Sequence, residues 1–172
     1  MRLIFDIVGF QITWWASALG AGAGLWWPGV LVAAVVVALQ IGLSKARIAT
    51  LAAVLAAAAL GLIAETAIIS TGLIRYAAGW PIASLPPLWL IGLWMVFGTC
   101  IEATARMLGA NPLLKGAVLG MIVAPPTYWG GERIGALSFS EPIWLPLAVT
   151  AVIWAIATPL MMLAYRKAAP AP

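Results

Sequence analysis

Four ionisable side chains sit inside long apolar runs of this chain, and their types and spacing raise the first chemical question. They are Asp6, Glu65, Glu102 and Arg106. Glu102 and Arg106 are four residues apart in "GTCIEATARML", so on a helix they share a face, with Thr99 one turn earlier on nearly the same side. Asp6 stands in "MRLIFDIVGFQITWW", and Thr13 lies seven residues on. An ionised group within a membrane helix costs roughly 2.5–3.5 kcal/mol on insertion scales, so it faces other protein or water. An Asp6–Thr99–Glu102–Arg106 cluster is therefore a candidate intramembrane polar site, with Glu102 as its titrating group. The plainer reading is that Arg106 reaches the interface and pairs with Glu102.

Glu65 is lonelier. No basic residue lies within one helical turn of it, and Gly61 and Gly72 fall close to its face. By rise per residue it lies about 26 Å along its helix, and its expected charge partners are Arg75 or Arg133 from the loops. The segment "VAPPTYWGGERIGA" at 123–136 completes this second candidate site. Pro125 and Pro126 strip carbonyls one turn earlier of their donors and are expected to kink or stop the helix. Tyr128, Trp129, Glu132 and Arg133 follow directly. The candidate ligand-binding set is Glu65, Arg75, Tyr128, Trp129 and Arg133.

The elements that must position these residues follow from composition. Of 172 residues, 65% are hydrophobic and 8% charged, where a soluble domain carries about a quarter charged. The chain reads as an integral membrane protein, and spanning segments must be helical because lipid cannot satisfy free backbone groups. Six helices are expected, at roughly 3–22, 28–43, 48–72, 86–107, 111–130 and 142–165. Breaks fall at "WWPG", "SKAR", "GWPIASLPP", "GANP" and "GGERIGALSFSEP", where proline and glycine gather. The first segment passes for a secretory leader until Asp6 and the bulky Trp14–Trp15 pair are weighed, and it is read as a membrane helix. The expected fold is all-α: one domain over 1–172, a polytopic bundle of six transmembrane helices.

Charge sets the expected orientation. Arg2, Lys45, Arg47, Arg106, Lys115, Arg166 and Lys167 fall on the side of the termini, against Arg75 and Arg133 on the other. Both termini are therefore expected in the cytoplasm. Trp26, Trp27, Trp80, Trp129 and Trp144 gather at the opposite ends of the helices, with Trp89 one turn deeper. They form either an aromatic belt or an aromatic-lined mouth for a lipid or flat ligand. The net charge of +4 is small and spread along the chain, so nucleic acid is not expected as a partner. The alanine-rich "LAAVLAAAALG" at 51–61 is expected to be a close helix–helix contact.

Absences narrow the chemistry. There is no histidine, which removes imidazole metal sites, bis-histidine haem and histidine acid–base catalysis. The single cysteine, Cys100, makes no internal disulfide and no metal cage, and is read as packing. No catalytic residue, metal or cofactor is assigned.

The stretches "PPLWLIGLWMVFGT" at 86–99 and "GAVLGMIVAPPTYWGGERIGAL" at 116–137 carry a resemblance. Pro87, Trp89, Leu90, Leu93, Trp94, Phe97, Thr99, Gly116, Ala117, Pro126, Tyr128, Gly131, Gly135 and Ala136 fit the pattern of a family of small bacterial inner-membrane proteins classed as a domain of unknown function. The resemblance covers about a third of the chain. "CIEATAR" at 100–106 departs from it, so it leaves Glu102 and Arg106 unexplained. It implies a multi-helix membrane fold, bacterial origin and no established activity, with a pointer towards lipid. The chain is also loosely similar to the substrate-binding subunits of energy-coupling-factor transporters, whose first-helix alanine pair Ser17 and Ala21 only approximate.

Three functions compete on this basis. The leading one is binding or transport of a lipid or other hydrophobic small molecule through a site facing the outer leaflet. The vitamin-transporter subunit stands as a variant of it. Next is a non-catalytic assembly subunit with a membrane-protein partner. A histidine-free lipid-modifying enzyme, working through carboxylates and Tyr128, ranks lower.

Overall fold

The computed structural model describes residues 2–79, 82 and 84–169. Trp80, expected at a helix end, lies outside the described residues. The elements run α1 (Arg2–Gly22), α2 (Trp27–Leu43), α3 (Arg47–Thr71), β1 (Ile74–Tyr76), α4 (Leu88–Thr99), α5 (Ile101–Leu108), α6 (Pro112–Ile134), β2 (Leu137–Phe139) and α7 (Trp144–Ala168). The protein is predominantly α-helical. Two helices, α3 and α7, are long and apolar enough to cross a membrane, and the bent pair α4–α5 makes a third if taken as one span.

α3 and α4 pack together at the centre, with the α6–α7 pair against α3 on one side and the α1–α2 pair against α4 on the other. Small residues permit the central approach. A Cβ on Gly98 would lie 2.9 Å from the Ala53 carbonyl and 3.0 Å from the Ala57 Cβ, so the alanine-rich face of α3 does seat another helix. Gly120 of α6 likewise meets the Trp154 carbonyl of α7, at 2.4 Å from an added Cβ. Ser17 and Ala21, which carried the looser transporter similarity, are buried inside the bundle, where Ser17 faces Gly29 of α2.

The structure departs from the expected segmentation in three places. The fourth helix is broken at Cys100, where α4 and α5 meet at 46°. Side chains compete there for main-chain acceptors: Thr99 Oγ1 donates to the Val96 carbonyl at 2.6 Å and Cys100 Sγ reaches the same oxygen at 3.4 Å. Secondly, the fifth helix runs past its expected end at 130 and is not stopped by the double proline. α6 continues through Pro125 and Pro126 to Ile134, because two lost N–H donors do not outweigh the packing of the turns beyond them. Thirdly, two loops read as irregular pair as a hairpin-like antiparallel ribbon, with Ile74 opposite Phe139, Arg75 opposite Ser138 and Tyr76 opposite Leu137. Each strand is launched by a glycine in the left-handed region that caps the preceding helix: Gly72 (φ 70°) after α3 and Gly135 (φ 85°) after α6.

Candidate binding site

The ribbon closes one end of the bundle and brings the first site together. Residues alternate across a strand, so in β1 Ile74 is buried, Arg75 is exposed and Tyr76 turns inward again. The Tyr76 hydroxyl donates to Glu65 Oε2. Burial, and then the negative charge of Glu65, hold that hydroxyl well above the usual tyrosine range, so it stays a protonated donor.

Two further donors converge on Glu65, which is wholly buried. Tyr128 of α6 donates its hydroxyl to Oε1, and Trp94 of α4 donates Nε1 to the same oxygen at 3.0 Å. Gly61, one helical turn before Glu65, makes room for Trp94: a Cβ there would come within 2.6 Å of the indole. Trp154 of α7 stacks on Trp94 at 4.2 Å between ring centroids and donates Nε1 to the Tyr128 hydroxyl at 3.4 Å. One carboxyl is thus held by neutral donors from a strand and two helices, with a third helix bracing them. Buried polar groups in low dielectric require such complete pairing.

Of the five residues expected to bind a ligand, the structure unites Glu65 and Tyr128 only. Arg75 and Arg133 are exposed and do not reach Glu65, which corrects the expected charge pairing. The reason is strand alternation for Arg75 and the outward face of the last α6 turn for Arg133. Trp129, the next residue on α6, is half exposed. Met121 and Ile122, whose carbonyls lose their donors to the prolines, lie on the exposed face of α6 rather than at the site. Among the outer tryptophans, Trp27 and Trp144 are exposed, whereas Trp89 is buried and donates to the Ala77 carbonyl at 3.2 Å. Sequence reasoning missed Tyr76 and Trp94. Gly61 was the available signal for Trp94, since a glycine on the Glu65 face must admit something bulky.

An apolar crevice of about 60 Å³ borders this network. It runs between Phe10, Trp14 and Ala18 of α1 and the Leu90–Trp94 stretch of α4, and ends on Tyr128 and Trp154. Two of the Glu65 donors, Trp94 and Tyr128, are therefore among its walls, with Trp154 bracing them.

The second candidate cluster lies at the opposite end. Arg106 binds Glu102 within α5, with Arg106 largely exposed and Glu102 buried. Asp6, also buried, shares with them a cavity of about 390 Å³, together with Gln40 and Lys45. Thr99 stands behind this cavity: its one hydroxyl proton is shared between the Val96 carbonyl and Gln40 Oε1, while Gln40 Nε2 reaches the Phe5 carbonyl at 3.5 Å. Thr13 turns back on its own helix, donating to the Gly9 carbonyl at 2.8 Å. Among the described residues, no group of three or more Cys, Asp or Glu side chains is placed to hold a metal ion.

These features define a small helical protein with membrane-length apolar helices and two buried acidic sites at opposite ends. The chain belongs to the DUF2878 family of proteins of unknown function, whose family model matches residues 3–160. The expected membership of an uncharacterised family is thereby shown, and the similarity to energy-coupling-factor subunits is not. No curated protein and no solved structure matches the chain.

Proposed function

We propose that this chain is a six-crossing inner-membrane protein of bacteria, with both termini in the cytoplasm, that binds or transports a lipid or other hydrophobic small molecule at the Glu65 site. At 1.5 Å per residue, α1 and α6 are each roughly 30 Å or more long, enough to cross the hydrocarbon layer beside α3, α7 and the α4–α5 pair. The shorter α2 supplies the sixth crossing. The seven-to-two distribution of basic residues supports placing the ribbon on the outer side.

The observation that carries the reading is the crevice that ends on the donors of Glu65. Apolar walls accept hydrocarbon, and a polar group on the ligand can exchange into the Tyr128–Glu65–Trp94 hydrogen bonds at the end. The enclosed space is small, so the ligand inserts one end and lays the rest along the groove beside α1. Glu65 and Tyr128 are the binding residues in this reading, joined by Tyr76 and Trp94.

Native mass spectrometry from mild detergent, with extraction and identification of the retained lipid, tests it. The expected result is a defined lipid or small molecule retained by the native chain and lost in Glu65→Gln, which stays folded. A bare protein, or one carrying only bulk lipid, overturns the reading and favours an assembly subunit.

A further inference from the structure

We infer that the apolar crevice beside Glu65 binds the head of a hydrophobic cation of the quaternary ammonium type, held by aromatic rings with the Glu65 charge behind them. The inference rests on the reading above that a ligand enters this crevice, and adds the charge and chemical class of the inserted end.

Six of the side chains that line the crevice are aromatic: Phe10, Trp14, Trp89, Trp94, Tyr128 and Trp154. Aromatic faces carry negative potential and attract a cation within about 6 Å of the ring centroid, tryptophan most strongly. Trp94 and Tyr128 both donate to Glu65, and a bond to a carboxylate polarises a ring towards greater electron density. Glu65 itself is supplied with hydrogen bonds but not with positive charge. Its three donors, Tyr76, Trp94 and Tyr128, are neutral, and the set suits an ionised carboxylate, which only accepts. Arg75 and Arg133 are exposed and do not reach it, and among the described residues Glu65 has no ion pair. Its charge carries further through the apolar interior than it would through water. A cation on the Trp94 and Tyr128 rings therefore answers that charge without breaking any of the three hydrogen bonds.

The walls then select among cations. Their surface is almost wholly carbon. The polar atoms are committed elsewhere: Trp89 Nε1 to the Ala77 carbonyl, Trp154 Nε1 to the Tyr128 hydroxyl and Thr127 Oγ1 to the Val123 carbonyl. A primary ammonium would leave N–H donors without acceptors there, whereas a quaternary ammonium has none to satisfy. A carboxylate end would meet the like charge of Glu65, and a neutral end gains nothing from it. The crevice is small, about 60 Å³, which suits a compact head with its hydrocarbon tail left in the groove beside α1. Trp14 reaches from α1 to α6 at this groove: a Cβ added on Gly130 would lie 3.3 Å from its ring. It is half-buried and stands outside the Glu65 hydrogen bonds, so it probes the aromatic contribution separately.

The test is native mass spectrometry of the full chain in mild detergent with an equimolar mixture of dodecyltrimethylammonium, its uncharged carbon isostere, dodecylammonium and dodecanoate. The expected result is dodecyltrimethylammonium retained over each of the others by roughly tenfold, equivalent to about 1.4 kcal/mol. Glu65→Gln should abolish the preference over the uncharged isostere. Because Glu65 is buried, Trp14→Leu is the second probe: it should lower retention of the cation severalfold, and Trp14→Phe should restore part of it. Lysophosphatidylcholine of the same chain length separates two sources of the head. Retention equal to that of dodecyltrimethylammonium assigns the site to a choline lipid, and weaker retention assigns it to a free amphiphilic cation. Equal retention of the cation and its isostere, a preference for dodecylammonium or dodecanoate, or a preference that survives both Glu65→Gln and Trp14→Leu overturns the inference. If a neutral or anionic lipid is retained instead and lost in Glu65→Gln, the ligand-binding reading stands and the quaternary ammonium class alone falls. Retention of nothing defined removes both.

Discussion

The two ends of the bundle hold buried carboxylates in opposite ways. At the ribbon end, Glu65 is closed in by Tyr76, Trp94 and Tyr128, uncharged donors from separate elements, and the adjoining space is small and apolar. At the other end, Glu102 takes its cation from the next turn of the same short helix, and the adjoining cavity is wide and charged. The contrast follows from solvation. A guanidinium or ammonium is costly to take from water, so the basic partners stay exposed at an end. Neutral hydroxyls and indoles cost less to bury, and they can hold a carboxyl in the interior if all of them arrive together. The first arrangement depends on the whole fold, whereas the second depends mainly on local spacing.

That contrast can be broken most sharply at Glu65. Glu65→Leu removes the acceptor of three donors at once and should cost about 1–3 kcal/mol for each donor left unpaired, while Glu65→Gln, which keeps one acceptor oxygen, should cost much less. Thermal unfolding in mild detergent compares the two, and equal midpoints would mean that the network adds nothing. Next in size is a pair of glycines. Gly61→Ala drives a Cβ to 2.6 Å from Trp94 and should destabilise by about 1–3 kcal/mol, as overpacking does. Gly42→Ala, near the other end, meets nothing within 4 Å and should stabilise by roughly 0.5–1 kcal/mol through helix propensity. The same sign for both would remove the distinction between a tight end and a loose one. The last test is the Glu102–Arg106 pair: its cation is exposed, so the contact itself is worth about 1 kcal/mol or less, but Arg106→Ala leaves the buried Glu102 without it and should cost more than Arg106→Lys. If the two variants unfold at the same temperature, the Glu102 pairing is not a stabilising contact.

Much of the helix pattern could be read in the residues because apolar runs and their proline or glycine breaks are local signals. α2 and α3 begin and end within a residue of the expected positions. The break at Cys100 was not legible, since an apolar run reads the same whether straight or bent. The end of α6, expected at 130 and found at Ile134, was set short because a double proline signals a kink or a stop, and only packing beyond it shows how far the helix goes on. β1 and β2 are three residues each and far apart in sequence, so neither declares itself until the other is beside it.

The sites divide similarly. The Glu102–Arg106 pair follows from four-residue spacing on a helix, and Glu65 stands out as a lone acid in an apolar run. The sequence by itself determined which residues must be buried polar groups, because charge within apolar helices has few tolerable fates. It also determined that the chain belongs in a membrane, because so much apolar surface has no other cover. Only the tertiary structure decided what meets Glu65. Tyr76 is eleven residues away through a strand, Trp94 twenty-nine and Tyr128 sixty-three. No local periodicity couples positions so distant, and strand alternation turned Tyr76 inward and Arg75 outward.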